Sequence, residues 1–502
     1  MWKRFVVAAV LIASMSGAAT ATLALNKLTS IADEVFPKLS HIDTPKGLVK
    51  VEAYNGKPQT FLILGSDRRS GSHNAEERDA TPRSDTILLV RFDPEQGQTS
   101  VLSIPRDLMV NIKGRDGAYY PREKINAAYS YGAKEGGANG ASVLAAETIK
   151  REVFPGLELN GIVDVNFAGF IKVVDTLGCA YVNVDHRYFN ENIGYGETDY
   201  TSINLQPGYQ KLCYNNALSY VRYRHDDSDF VRVARQQDFL RDLRQQISPS
   251  NETGQIDNVA KAVGHAIRSN FKASADELLS LGKLIAFSQA KPLRQVKFET
   301  SSDNADYNGG SYVTSTPELE AKTLHNFLDG HEQPQLPSSK SSSKQHSHHQ
   351  HASRSISARE LNLFPTPSAG EAEAVKASLN LPIRVLYPTL QTGAAEQQVV
   401  RPYVLFDEHH RRHHAYVVVW RQNLIGGYYD FEGSDWLNPP LFAHSSTRLI
   451  DGLSYKFVDD GAHVHVIGWV SRGVLYWLTN TLLEELSNTQ MLAIARSAQG
   501  LH

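Results

Sequence analysis

The chain has 502 residues, 41% hydrophobic and 21% charged, which is enough apolar material for a core and enough length for more than one domain. Its formal net charge of -3 excludes the global basic field of a general nucleic-acid binder, so any anion site has to be local. The only two cysteines, Cys179 and Cys213, exclude both a disulfide-rich scaffold and a four-cysteine zinc site.

The N-terminus opens MWKR, and residues 5–26 then carry no charge. A helix needs about 20 residues to cross the hydrocarbon core, so residues 1–27 are read as a transmembrane anchor. Lys3 and Arg4 stand on its short side, which places the N-terminus in the cytoplasm and the domains outside, in a single-pass cell-membrane protein. A cleaved signal peptide is the second reading, because the stretch weakens into the small residues GAATATLA. Under either reading the domains are exported, and Cys179 and Cys213 become candidates for a disulfide.

Residues 61–64, 87–92 and 100–104 are predicted strands, rich in β-branched and large apolar side chains. The unbroken apolar character of LILG and TILLV predicts burial on both faces, as in a sheet covered by helices. Residues 138–153 and 166–177 have helical spacing, the second followed by Gly178 and a strand at 180–184. This alternation predicts an α/β sandwich over residues 50–330. Residues 331–375 are predicted to be a disordered Ser/His-rich linker: nine serines and four histidines fall between 338 and 357, with no apolar payload to offset ordering. Its His346, His348, His349 and His351 are too irregularly spaced for a built metal site.

Residues 376–500 regain globular character as a small α+β domain. Strands are predicted at 401–406, 415–420, 463–469 and 473–479, the last two as a hairpin, with a helix at 482–496. The EHHRRHH run at 408–414 is read as a hairpin turn in preference to a zinc site. This domain carries no catalytic constellation, and its role is unassigned.

The chemistry concentrates in the first domain. Arg222 and Arg224 are two apart and would share one face of an extended segment. After Asp226, Asp227 and Asp229, the residues Arg232, Arg235 and Gln236 fall at i, i+3, i+4 and would share one face of a helix. Clustered guanidinium groups repel one another unless they hold an anion, and their forks match phosphate oxygens. Taken alone, the stretch is better explained as a solvated face whose arginines pair with the nearby aspartates. Asp67 follows the first strand and Asp85 precedes the second, so two carboxylates stand at strand ends where they could share Mg²⁺. SIPRD ends a further strand with Arg106 and Asp107.

In order along residues 60–246, FLILGSDRR, RSDTILLVRFD, VLSIPRDLMV, KINAAYSYG, VDVNFAGFIKVVDTLG and LSYVRYRHDDSDFVRVARQQ resemble the LytR-CpsA-Psr family of envelope-anchored phosphotransferases. The resemblance implies an α-β-α sandwich around a central mixed sheet. It implies a Mg²⁺-dependent enzyme that moves a glycopolymer from a polyprenyl-pyrophosphate carrier to a peptidoglycan-type hydroxyl and releases polyprenyl phosphate. Carried over by residue, Asp67 and Asp85 would hold Mg²⁺, and Arg106, Arg222 and Arg224 would be catalytic. Those arginines with Arg232 and Gln236 would bind the pyrophosphate, with Arg83 and Arg235 in support. The loop GSHNAEERDATP between the two aspartates is longer and more charged than the family pattern. The group that accepts the hydroxyl proton is not identified by sequence; Asp107 is one candidate. Two further readings stand beside this one, a polyprenyl-pyrophosphate hydrolase and an exported lipid-sensing attenuator or adaptor. The sequence does not give the oligomeric state.

Overall fold

The structure, a computed structural model, describes residues 40–51, 56–67, 82–191, 202–223, 229–246, 267–270, 293–330, 357–378, 381–423, 426–460 and 463–501. The segment 5–26, the linker residues 331–356, Arg224, Asp226 and Asp227 lie outside the described residues. Among the described residues no helix is long and apolar enough to cross a membrane.

The first unit is built on a seven-stranded mixed sheet. Its strands are β1 (Ser40–His41), β2 (Gln59–Ser66), β3 (Ser84–Asp93) and β4 (Gln98–Ser103), then β7 (Gly161–Asn166), β12 (Ile267–Ser269) and β13 (Leu293–Val296). The order is β1-β12-β7-β2-β3-β4-β13, with β2 parallel to β7 and antiparallel to β3. β2 is central and buried along almost its whole length, as its two apolar faces require. Between β4 and β7 the chain forms the hairpin β5 (Met109–Lys113) and β6 (Tyr119–Lys124). Helix α1 (Ala127–Thr148) follows and runs on into a π-helical turn, Ile149–Val153. The sequence predicts a helix beginning at KINAAY, 124–129, and another over 138–153; the two stretches meet here across a kink at Gly136 and Gly137, whose backbones are non-helical, the latter at φ 58. Leu62, Leu64, Ile87, Leu89 and Leu102 pack with Ala141, Leu144 and Ala145 of α1 in one continuous core.

Helix α2 (Phe167–Thr176) begins where the Asn166 side chain accepts the Gly169 N–H at 2.9 Å. β8 (Ala180–Val184) pairs with β11 (Gly208–Leu212), and β9 (Tyr188–Asn190) with β10 (Ile203–Leu205). Cys179, just before β8, is bridged to Cys213, just after β11. Helices α3 (Tyr214–Arg222) and α4 (Asp229–Gln245) come next, and the hairpin β14 (Ser302–Tyr307) and β15 (Gly310–Thr314) leads into α5 (Pro317–Asp329). The extended segment expected around Arg222 is corrected: Arg222 is the last residue of a helix. Ala217, Tyr220 and Val221 are buried at helical spacing, and that burial outweighs the β propensity of YVRY.

The second unit gathers Asn183–Asn190, Asn204–Lys211 and the chain from Glu332 onward. Its short elements are β16 (Leu363–Pro365), α6 (Ser368–Ser378), β17 (Leu386–Pro388) and β18 (Leu390–Thr392). Its main sheet contains β19 (Glu396–Phe406), β20 (Arg412–Arg421), β21 (Tyr428–Ser434), β22 (Ser446–Ile450), β23 (Leu453–Asp460), β24 (His463–Ser471) and β25 (Val474–Asn480). The antiparallel order is β19-β20-β21-β25-β24-β23-β22. Helix α7 (Asn488–Ser497) starts later than position 482, because Ser487 and Gln490 form a capping box there, and β26 (Ala498–Gly500) closes the unit. Of the EHHRRHH run, residues 408–411 form the turn between β19 and β20, and Arg412, His413 and His414 open β20. The Asp407 carboxylate accepts the N–H groups of His409 at 2.9 Å and Arg411 at 2.8 Å. Among the described residues no three His, Cys, Asp or Glu side chains are grouped for a metal ion.

Two carboxylates of β21 lie wholly inside this unit. Asp430 accepts two bonds from Asn183 Nδ2, at 3.0 and 3.1 Å. Glu432 accepts from the Tyr403 hydroxyl and from the Tyr209 N–H at 3.1 Å. Burial pushes Glu432 up to about 7, against the opposing pull of Tyr403, Tyr209 and Arg401. A carboxyl raised in the folded state contributes stability below its ordinary value of 4.5, and that contribution is lost as pH rises through about 7. The unfolding temperature should therefore fall between about pH 5 and about pH 8, and Glu432→Gln should fall less steeply. Thermal melts of the two proteins with parallel pH slopes would contradict this.

Candidate active site

The site starts from an irregularity between β2 and β3. Gly65 pairs with Thr86 and Ser66 with Ser84, which leaves Asp85 as the extra residue of a bulge. A bulge re-aims the side chain it carries, here a carboxylate at the end of a buried sheet. Gly65 is required by the close approach, since a Cβ there would meet Thr86 Cβ at 2.8 Å. The ladder continues past the bulge. Asp67 N–H donates to the Arg83 carbonyl at 3.1 Å, and the Arg83 N–H donates to Asp67 Oδ1 at 2.6 Å. Asp67 and Asp85 are thus fixed on neighbouring strands.

Arginines from three other segments meet them. Arg106, beyond the end of β4, pairs through Nη1 with Asp85. Its Nε lies 3.4 Å from Asp107 Oδ2, and Asp107 Oδ1 lies 2.9 Å from Lys124 Nζ. Arg232 of α4 is 2% exposed and reaches the Asp85 carbonyl with Nη2 at 3.4 Å. Arg222, at the end of α3, sits over the Phe167 ring, 4.1 Å from its centroid. Burial works to raise Asp85, but Arg106, Arg232 and Arg222 outweigh it and hold the carboxyl below its ordinary range. For Asp67 burial prevails and its pKa is raised, with Asp85 adding to the shift and the Arg83 N–H, Arg222 and Arg83 opposing it.

Arg235, expected in a supporting role, and Gln236, expected at the pyrophosphate, both reach the backbone of α3. Arg235 is fully buried between Tyr220 and Tyr223, with centroids 5.7 and 5.6 Å from its Cζ, and donates to the Tyr223 carbonyl at 2.8 Å. Gln236 Nε2 donates to the Val221 carbonyl at 3.1 Å. Both satisfy carbonyls at the C-terminal end of α3, which a helix leaves open, and so fix the helix end that carries Arg222. Asp107 is buried and paired with Lys124 and Arg106, an arrangement that aims Arg106.

Sequence reasoning gave no role to Asp164. This buried residue of β7 accepts bonds from Tyr129 at 2.7 Å, Ser142 at 2.8 Å and Ser66 at 3.2 Å. It ties α1 and β2 together one residue before Asp67. The one signal in sequence was a charged residue inside the apolar run GIVDV.

Around the two aspartates stand Arg83, Arg106, Arg222 and Arg232, so the cluster carries two positive charges in excess. Such a cluster is matched to a multiply charged anion. Asp67, raised by burial and by its like-charged neighbour, is where a cation would relieve the most electrostatic cost. Two carboxylates suit Mg²⁺, which completes its shell with water and phosphate oxygens.

Residues 25–328 match the LytR_cpsA_psr family. An uncharacterized protein of Staphylococcus aureus is 31% identical over 229 residues, 45% of this chain and 51% of that protein. Biofilm regulatory protein A of Streptococcus mutans is 27% identical over 274 residues, 53% of this chain and 62% of that protein. The chain therefore spans between half and two thirds of the length of these two relatives. The crystal structure of TagV from B. subtilis aligns with 25% identity and a TM-score of 0.41, covering 55% of this chain and 98% of that one.

The division of labour between Arg235 and Arg222 can be measured. Arg235→Ala, which orphans a carbonyl and empties buried volume, should cost about 2–3 kcal/mol in urea unfolding. Arg222→Ala should cost less than about 1 kcal/mol, since its cation is partly solvated. Equal losses for the two variants would refute the assignment.

Proposed function

The chain belongs to the LytR-CpsA-Psr family, whose members are enzymes of cell-wall glycopolymer attachment, and from that premise we propose a specific reaction for it. The first unit is a phosphotransferase that moves a glycopolymer from a polyprenyl-pyrophosphate carrier to a peptidoglycan hydroxyl. The charge cluster carries this reading: four guanidinium groups converge on two strand-end carboxylates and leave room in charge for a pyrophosphate.

The acceptor oxygen attacks the phosphorus that bears the sugar. The bridging P–O bond breaks, polyprenyl phosphate departs with the bond's electrons, and the acceptor proton passes to solvent. The leaving group is itself a phosphate, so charge compensation and alignment are the main demands on the protein. Arg106 is aimed by Asp107 and Asp85 and steadies the charge that grows on the bridging oxygen. Arg222, its helix end held by Arg235 and Gln236, and Arg232 bind the non-bridging oxygens, with Arg83 in the same pool of charge. Asp67 and Asp85 would hold Mg²⁺, which supplies further compensation of phosphate charge when bound. Family members are anchored with an extracellular domain, and the uncharged 5–26 stretch behind Lys3 and Arg4 supports the same arrangement here.

The test uses the full chain in detergent with a polyprenyl-pyrophosphoryl saccharide, Mg²⁺ and a peptidoglycan oligomer. Expected products are polyprenyl phosphate and the phosphosaccharide joined to the oligomer. Arg106→Ala and Arg222→Ala should each slow turnover by about 100-fold or more, and chelation of Mg²⁺ should abolish it. Full activity in both variants would overturn the site. Release of polyprenyl phosphate that ignores the oligomer would point to a hydrolase instead.

A further inference from the structure

Away from the charge cluster, the first unit has a cavity of about 450 Å³ between the β5–β6 turn and the kinked part of α1. Its wall is a stacked pair of tyrosines, Tyr120 and Tyr131, with ring centroids 3.9 Å apart and planes within 8°. Its rim carries Arg115, Asp116, Lys134 and Glu135. Glu135 Oε2 accepts the Arg115 N–H at 2.9 Å, and the buried Glu135 Oε1 has no hydrogen-bond partner in the structure. Two cations face two anions, so the cavity has no net preference for an anionic ligand. Four charged groups around it also exclude a purely apolar one. A flat aromatic wall beside both donors and acceptors suits a ring with an apolar face and a hydroxylated edge.

We propose that this cavity is a saccharide subsite that holds one sugar of the glycan chains brought to the reaction centre. The proposal rests on the transferase reading for its role, though not for the binding itself. Its position is suitable. Tyr120 and Lys124 lie at the two ends of β6, about 13 Å apart along a strand. Lys124 is tied through Asp107 and Arg106 to Asp85. On the other side, Ser130 of α1 donates to the Pro82 carbonyl at 2.8 Å, next to Arg83. An oligosaccharide whose end is at the phosphate site could therefore lay a later ring on the tyrosines. That ring belongs either to the transferred polymer or to the acceptor glycan, and the two sources share the same chemistry.

Two variants test it: Tyr120→Leu, which removes one ring of the stacked pair, and Arg115→Ala combined with Lys134→Ala, whose side chains are exposed. Binding of lipid-free glycopolymer fragments and of peptidoglycan oligomers to the full chain is followed by calorimetry. Wild type should bind one of the two, and each variant should weaken that binding about tenfold. In the transfer assay the same variants should raise KM for the matching substrate about tenfold and leave kcat within about twofold. A raised KM for the lipid-linked donor assigns the subsite to the transferred polymer, and a raised KM for the oligomer assigns it to the acceptor. Failure of wild type to transfer at all would count against the reaction, while the calorimetry would still decide the subsite. Unchanged binding in both variants, or no saccharide binding by wild type, overturns the subsite.

Discussion

The first unit depends on keeping a charged carboxylate at a place where burial opposes charge. Asp85 is presented by a bulge at the end of a buried sheet, and desolvation alone would neutralise it. Arg106, Arg232 and Arg222 reverse that outcome, and the dependence runs both ways. Without the two aspartates, Arg106 beyond β4, Arg222 of α3 and Arg232 of α4 would face one another with less to offset their repulsion. Supporting residues hold each piece in turn: Asp107 and Lys124 behind Arg106, and Arg235 and Gln236 beneath the end of α3. Asp164 sits behind Ser66 and so behind Asp67. The cluster is positioned by buried hydrogen bonds, which is what phosphoryl chemistry asks of a protein.

Much of this was legible in the chain because it is local. The unbroken apolar runs of β2 and β3 announced a doubly covered sheet, and the same runs marked Asp67 and Asp85 as strand-end residues. The bulge was not legible, since it exists only in the pairing of two strands. YVRY has side chains that suit either a strand or a buried helix face, and the packing of Tyr220 and Val221 decides for the helix. The common face of Arg232, Arg235 and Gln236 followed from spacing alone. What that face meets did not: Arg232 reaches Asp85 while its neighbours reach the backbone of α3. Asp164 escaped for the same reason, because its partners lie 22, 35 and 98 residues away.

The second unit repeats the theme of paired burial with opposite sign. Asp430 and Glu432 lie among tyrosines, an asparagine and a threonine; the pull of Arg401 on Glu432 does not outweigh desolvation as the three arginines at Asp85 do, and burial raises both. A carboxyl kept neutral donates as well as accepts, so it can serve a hydrogen-bond network where an ionised one would add only cost. The contrast separates a site prepared for anions from a core that tolerates acids.

The make-up of the second unit also imposes an order in time. Asn183 and Tyr209 leave the ribosome long before Tyr403, Asp430 and Glu432, to which they bond. Until the later chain is made, the segment that carries them has no sheet to join. Cys179 and Cys213 stand at its two ends, 34 residues apart. A bridge closed at that stage turns a loose excursion into a tethered loop and lowers the entropy still to be lost when the sheet arrives. Oxidation of Cys179 and Cys213 would then act as a timer for folding, setting when the early segment is ready to receive the later strands.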